Sequence, residues 1–108
     1  YACDNSPEEI VNEPKNEKEF TNQIRYEADL AGWELVYHTH DSRHSETGFP
    51  DLVLVRPPRL VFAELKMRKG KVPQPQQRWL DVLREVPNIE VYLWRYPDDI
   101  DQILEVIK

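Results

Sequence analysis

The chain predicts an α/β fold, a small mixed β-sheet flanked by helices with the element order α-β-β-β-α-β-α. Three observations carry this. Residues 48–66, GFPDLVLVRPPRLVFAELK, read as two apolar strands around a turn of two prolines, which cannot join a ladder. An amphipathic helical pattern precedes this hairpin, and a helix, a strand and a helix follow it. Both faces of the middle strands are apolar, Leu52 and Leu54 on one and Val53 and Val55 on the other, as in a sheet covered by helices on both sides.

At 108 residues and 40% hydrophobic, the chain suits one small domain with a modest core. Residues 1–15 are polar and acidic, with two prolines and no periodicity, and read as a poorly ordered lead; a single domain is expected over residues 16–108. No apolar run approaches a membrane span and no basic-then-apolar leader is seen, so a cytoplasmic protein with no membrane partner is expected. The lone Cys3 excludes an internal disulfide and a cysteine zinc cluster, and it suits a reducing compartment.

Asn16, with Glu19 three residues later, has the form of a capping box and starts a helix. Phe20, Ile24, Ala28 and Ala31 form its apolar stripe, and Gly32 is its stop. Glu17 shares that inward stripe, three residues before Phe20, whereas Glu19 has a capping task. An acid on an inward stripe needs a partner. Both acids are also favoured at a helix N-terminus by the dipole alone.

Glu34 to His38 reads as the first strand. The hairpin strands follow over Asp51 to Val55 and Leu60 to Leu65. A second helix is expected over Gln76 to Glu85, with Trp79, Leu80, Val82 and Leu83 on its apolar side, ended by Pro87 and Asn88. Val91 to Arg95 forms the fourth strand, parallel to its neighbour. Ile100, Ile103, Leu104 and Ile107 make a closing helix.

A turn centred between Pro57 and Pro58 sets Val55 opposite Leu60, Val53 opposite Phe62, and Asp51 opposite Glu64. The period of two puts Lys66 on the face of Glu64. Two ionised carboxylates roughly 5 Å apart repel by about 3 kcal/mol at an effective dielectric near 20. A strand pair selected for stability alone would avoid this. A divalent cation between them removes the repulsion, since hard ions such as Mg²⁺ take oxygen ligands. A lysine beside such an ion offers a fixed charge and donors to a phosphate oxygen or an attacking water. Glu17 is the candidate third carboxylate, with Glu19 as its rival.

The net charge of -6 argues against a nucleic-acid partner, but its distribution reverses that inference. From Arg56 to Arg78 there are seven basic residues (Arg56, Arg59, Lys66, Arg68, Lys69, Lys71 and Arg78) and one acid, Glu64. This segment suits a phosphate backbone, although a solvated face is the ordinary fate of such a run. Arg43, Ser42 and Ser45 suit a loop gripping phosphates. His38 and His40 form a His-x-His pair without a third zinc ligand at a supporting spacing, so hydrogen bonding or phosphate contact is their commoner use. Gln77, in the first turn of the second helix, is placed to reach the carboxylates or a phosphate.

Pro50-Asp51, twelve residues, then Glu64-Leu65-Lys66 resembles the signature of the PD-(D/E)xK phosphodiesterase superfamily, with its restriction-endonuclease-like core. The wider string, from the Glu17 helix through GWELVYHTHDSR, GFPDLVLVR, VFAELK and a later Gln-x-Trp, resembles its VRR-NUC branch over roughly residues 16–96. The resemblance implies Mg²⁺- or Mn²⁺-dependent hydrolysis of DNA, on structured forms such as flaps or four-way junctions. It implies metal ligation by Asp51, Glu64, the Leu65 carbonyl and Glu17. Lys66 would act on the attacking water, Gln77 would stand at the family's helix glutamine, and Arg68, Lys69 and Lys71 would contact phosphates. Cutting both strands of a duplex would call for a homodimer. The competing classes are a non-catalytic nucleic-acid-binding module with the same fold, and a zinc hydrolase using His38 and His40.

Overall fold

A computed structural model describes residues 13–39 and 46–108. Its elements run α1 (Glu17–Leu30), β1 (Leu35–His38), β2 (Leu52–Arg56), β3 (Arg59–Met67), α2 (Gln74–Leu83), β4 (Glu90–Tyr96) and α3 (Ile100–Ile107). This is the expected order. The expectation for residues 1–12 of the lead lies outside the described residues.

α1 begins where the sequence places it. The Asn16 side chain accepts the Glu19 N–H at 2.9 Å, and Glu19 Oε1 accepts the Lys15 N–H at 2.8 Å. The reciprocal cap thus closes one residue earlier than in the usual box. After the C-cap Ala31, Gly32 takes a φ of 87°, the left-handed geometry that lets the chain leave the helix toward Trp33.

The sheet order is β1-β2-β3-β4, antiparallel across the first three strands and parallel between β3 and β4. Pairing of β2 with β3 sets Leu52 opposite Ala63, Val53 opposite Phe62 and Val55 opposite Leu60. The expected register is therefore present, and the turn closes through a cis Pro57–Pro58 peptide. On one face Leu52, Leu54, Val61, Ala63, Leu65 and Trp94 pack with Phe20, Ile24 and Ala28 of α1 and Ile103 and Ile107 of α3.

The opposite face is covered only in part. α2 has ten residues, about 15 Å of helix, and cannot span the sheet. It buries Leu80, and Trp79 meets Phe49 edge to face at 5.2 Å, with Phe49 in turn against Phe62. Leu35 and Tyr37 on β1 stay 63% and 52% exposed, so full cover on both sides, expected from the apolar strands, is not reached. α2 also starts two residues early, at Gln74. Pro75 fits a first helical turn because its missing N–H would have no partner there.

The two ends of the hairpin have different tasks. At the turn, Arg56 and Arg59 lie over the Trp33 ring at 4.4 and 4.9 Å. Arg56 donates to the carbonyls of Ala31 and Lys108, and Arg59 donates to Val106 O and forms a two-pronged pair with Glu90. These guanidiniums neutralise the carbonyl ends of α1 and α3, where the helix dipoles are negative. They belong to the scaffold. The other end of the hairpin carries Asp51, Glu64 and Lys66.

Candidate active site

Asp51 precedes β2 by one residue, in the chain that follows Gly48-Phe49-Pro50. Gly48 has a φ of 92°, and a side chain there would meet Pro75 O at 2.5 Å, so the segment can lie directly on the start of α2 only because the residue is glycine. Trp79 Nε1 donates to Thr47 O at 3.2 Å and fixes the same contact. On its other side Thr39 N–H donates to Asp51 O, and Thr39 Oγ1 to Pro50 O. Asp51 is thereby held by β1, α2 and the sheet together.

Its Oδ2 accepts the Leu65 N–H at 2.9 Å, which points the carboxylate across the ladder at β3. There the Glu64 carboxyl lies beside the Asp51 carboxyl, close enough that each shifts the other's titration. Glu64 is 1% exposed, and neither of its oxygens receives a hydrogen bond. Lys66 is 7% exposed, with Nζ 3.7 Å from Glu64 Oε2, an ion-pair rather than a hydrogen-bond distance. The three side chains share one face and one end of the sheet.

Burial pushes the Glu64 carboxyl up to about 8, the neighbouring Asp51 charge adds to this, Lys66 opposes it, and Glu17 contributes a small further rise. Asp51 is also raised by burial, against the Leu65 N–H, the Glu64 contact and Lys66, all of which favour its charged form. Near neutral pH Glu64 therefore keeps its proton when nothing else neutralises the pair. A buried glutamate with two unsatisfied oxygens, beside a second carboxylate, is costly as a purely structural device. Their donor set is all oxygen, and it matches a hard divalent cation.

The remaining expected residues fall in different places. Glu17 is exposed on the first turn of α1, facing the pair and lining a cleft of about 550 Å³ with Lys18, Thr21, Asn22, Arg25, His38, Thr39 and Asp51. It does not close on the pair: among the described residues no three His, Cys, Asp or Glu side chains form a metal-sized cluster. Glu19 is occupied by the cap. Gln77 does not reach inward, since its amide donates to Asp81 one turn along α2 at 2.9 Å. Its neighbour Gln76 is turned in, and the Gln76 Oε1 is buried without a donor. The spacing could have shown this. Gln76 stands four residues before the buried Leu80 and so on the inward stripe, while Gln77 stands four before the exposed Asp81.

Arg68 and Lys69 are exposed just beyond β3, and Lys71 follows in the loop to α2. Arg95 of β4 ties this loop down through Gly70 O at 2.6 Å. Arg56 and Arg59 leave the basic group, being locked at the opposite end of the hairpin. His40, Ser42, Arg43 and Ser45 lie outside the described residues. No helix among the described residues is long and apolar enough to cross a membrane.

A mixed four-stranded sheet with three helices, carrying an aspartate, a buried glutamate and a lysine at one strand end, is the plan of a nuclease-like domain. The model of the VRR-NUC domain family matches residues 3–95, and the chain belongs to that family, a branch of the PD-(D/E)xK superfamily. It is similar in fold to a solved structure described as "VRR_NUC domain protein", at a TM-score of 0.68 and 11% identity over 88% of this chain and 89% of that one. No curated protein matches it.

Proposed function

We propose that this chain is a Mg²⁺- or Mn²⁺-dependent DNA endonuclease that hydrolyses phosphodiester bonds in structured or branched DNA during replication, repair or recombination. The observation that supports it above all is the buried Glu64, whose two oxygens lack donors, set between the Asp51 carboxylate and a buried lysine. Family membership supports the nuclease class, and flap and four-way-junction substrates remain part of the proposal.

Asp51, Glu64 and the Leu65 carbonyl would hold the cation, with Glu17 adding negative charge from the cleft. When bound, the ion supplies charge neutralisation at the scissile phosphate and a more acidic water. The chain's own residues do the rest. Leu65 N–H keeps Asp51 aimed at β3, and the sheet fixes Glu64 beside it. Lys66 holds a positive charge at the pair, where it orients a water for in-line attack and stabilises charge that develops on the phosphate. Arg68, Lys69 and Lys71 bind the flanking backbone. Gln76, rather than Gln77, is the helix glutamine that faces the interior. One chain offers one such site and cuts one strand, so cleavage of both strands requires two copies.

The test is incubation with labelled linear, flap and four-way-junction DNA, with and without Mg²⁺ or Mn²⁺, beside a Lys66→Ala control. Metal-dependent product from the wild type alone is expected. Product that needs no metal, or no product from any form, would count against the proposal.

A further inference from the structure

Arg25 presents a problem that the metal pair does not explain. Among the described residues its Nε, shut off from solvent, has no acceptor, and its Nη1 reaches only Asn22 Oδ1, at 3.4 Å. Among the described residues no carboxylate lies within ion-pair distance of Arg25 or of Lys18. A guanidinium donor withdrawn from water and left unpaired is costly, and the cost is recovered when an anion brings oxygens to it.

Lys18, Thr21, Asn22 and Arg25 occupy positions i, i+3, i+4 and i+7 of α1, one stripe of a helix whose Phe20, Ile24 and Ala28 are buried in the core. That stripe forms one wall of the 550 Å³ cleft, and Thr39 and Asp51 stand on the opposite wall. The volume lies within the range of small-molecule sites. Along the helix, Arg25 is about 12 Å from Glu17. A duplex rises roughly 3.4 Å per nucleotide along its axis, so a strand lying along α1 advances about three nucleotides over that length.

We propose that the cleft between α1 and the ends of β1 and β2 is a second phosphate-binding subsite, which takes the substrate strand some three nucleotides from the scissile bond through Arg25 and Lys18. The inference rests on the nuclease reading and extends it. The strand runs from the basic loop after β3, over Asp51 and Glu64, and into the α1 cleft. Arg25 positions this strand, and Lys18 adds a solvent-exposed charge at the carboxylate end of the cleft.

The experiment is equilibrium binding of a fluorescein-labelled flap DNA by anisotropy at three salt concentrations. It is done in an Asp51→Asn background, which keeps the strand intact and removes one repelling charge. Arg25→Ala is expected to weaken binding by about ten-fold or more. It should also reduce the salt slope by about one. Arg25→Lys should recover part of the loss, Lys18→Ala should cost two- to three-fold, and Lys108→Ala, at the far end of the fold, should change nothing. Thermal melting checks that each variant folds, and the exposed Lys18 keeps the test open if Arg25→Ala does not. Equal affinity and equal slope for the Arg25 and Lys18 variants and their parent, including no binding by any of them, would overturn the subsite. Arg25-dependent binding by a protein whose wild type cuts no DNA would uphold the subsite and sink the nuclease reading instead.

Discussion

Lys66 Nζ stands 3.7 Å from Glu64 Oε2 in an interior where Glu64 has almost no contact with solvent. The ammonium is too far away to donate a hydrogen bond, and it leaves both glutamate oxygens without donors. A structural ion pair would close that gap. The arrangement instead keeps a charged, unsatisfied space beside Asp51, and this is the physical basis of the activity proposed.

Removal of the lysine charge should therefore affect the chemistry far more than binding. Lys66→Ala is expected to lower cleavage by 10²-fold or more, in the range of positioned acid–base and electrostatic groups. DNA affinity should change by less than ten-fold. Single-turnover cleavage and anisotropy measured on the same protein separate the two effects.

Glu64 makes the metal-free protein sensitive to alkali. Its folded value near 8 exceeds the ordinary 4.5, so the folded protein keeps a proton that the unfolded chain has released. That contribution is complete below about pH 4.5 and disappears as pH rises through 8. The raised Asp51 carboxyl acts in the same direction. Chemical denaturation in EDTA should show stability falling between pH 5 and 9 in the wild type and a flatter profile in Glu64→Gln. Added Mg²⁺ should restore the wild type at high pH, by up to about 2.7 kcal/mol at a hundred times its Kd, and leave the variant unchanged.

Gly48 and Pro75 make the contact that seats α2 on the segment before Asp51. Gly48→Ala places a Cβ 2.5 Å from Pro75 O on a backbone with positive φ, and a loss of about 1–3 kcal/mol is expected. Because Trp79 and Gln76 move with α2, cleavage should fall beyond what the unfolded fraction explains. Denaturation midpoints measured beside activity at low temperature give the comparison.

The two groups of basic residues should behave oppositely. Arg59→Ala breaks the pair with Glu90 and uncovers Trp33, and is expected to cost about 1–3 kcal/mol of stability while leaving the salt dependence of DNA binding unaltered. Ala at Arg68, Lys69 or Lys71 should do the reverse, each lowering the slope of log K against log salt by about one. Equal slopes for all four would place the loop on a solvated face.

The residues that were legible in advance share a cause. Two prolines fix the hairpin turn, the turn fixes the register, and the period of two then brings Asp51, Glu64 and Lys66 to one face. The amphipathic stripe of α1 was legible for a similar reason. What a linear reading could not show is how a hairpin separates charges that are neighbours in the chain. Arg59 and Lys66 are seven residues apart, about 23 Å along a strand, so counting them in one basic segment joined a scaffold clamp to a candidate catalytic group. The expectation for Gln77 rests on its place in the first turn and on the family's glutamine, whereas the spacing of four that sets Gln76 on the inward stripe of Leu80 is equally legible in the sequence and points the other way. Arg25 gave no signal as a lone basic residue in a helix, and only the closed surroundings of its Nε draw attention to it.

Calorimetric titration of Mn²⁺ into the wild type, Asp51→Asn and Glu64→Gln shows whether Asp51 and Glu64 jointly hold one divalent cation. One ion bound per chain is expected in the wild type, with loss of that binding in each variant and both variants folded. Mn²⁺ binding that is unchanged by either substitution, or absent from the wild type, would contradict that joint site.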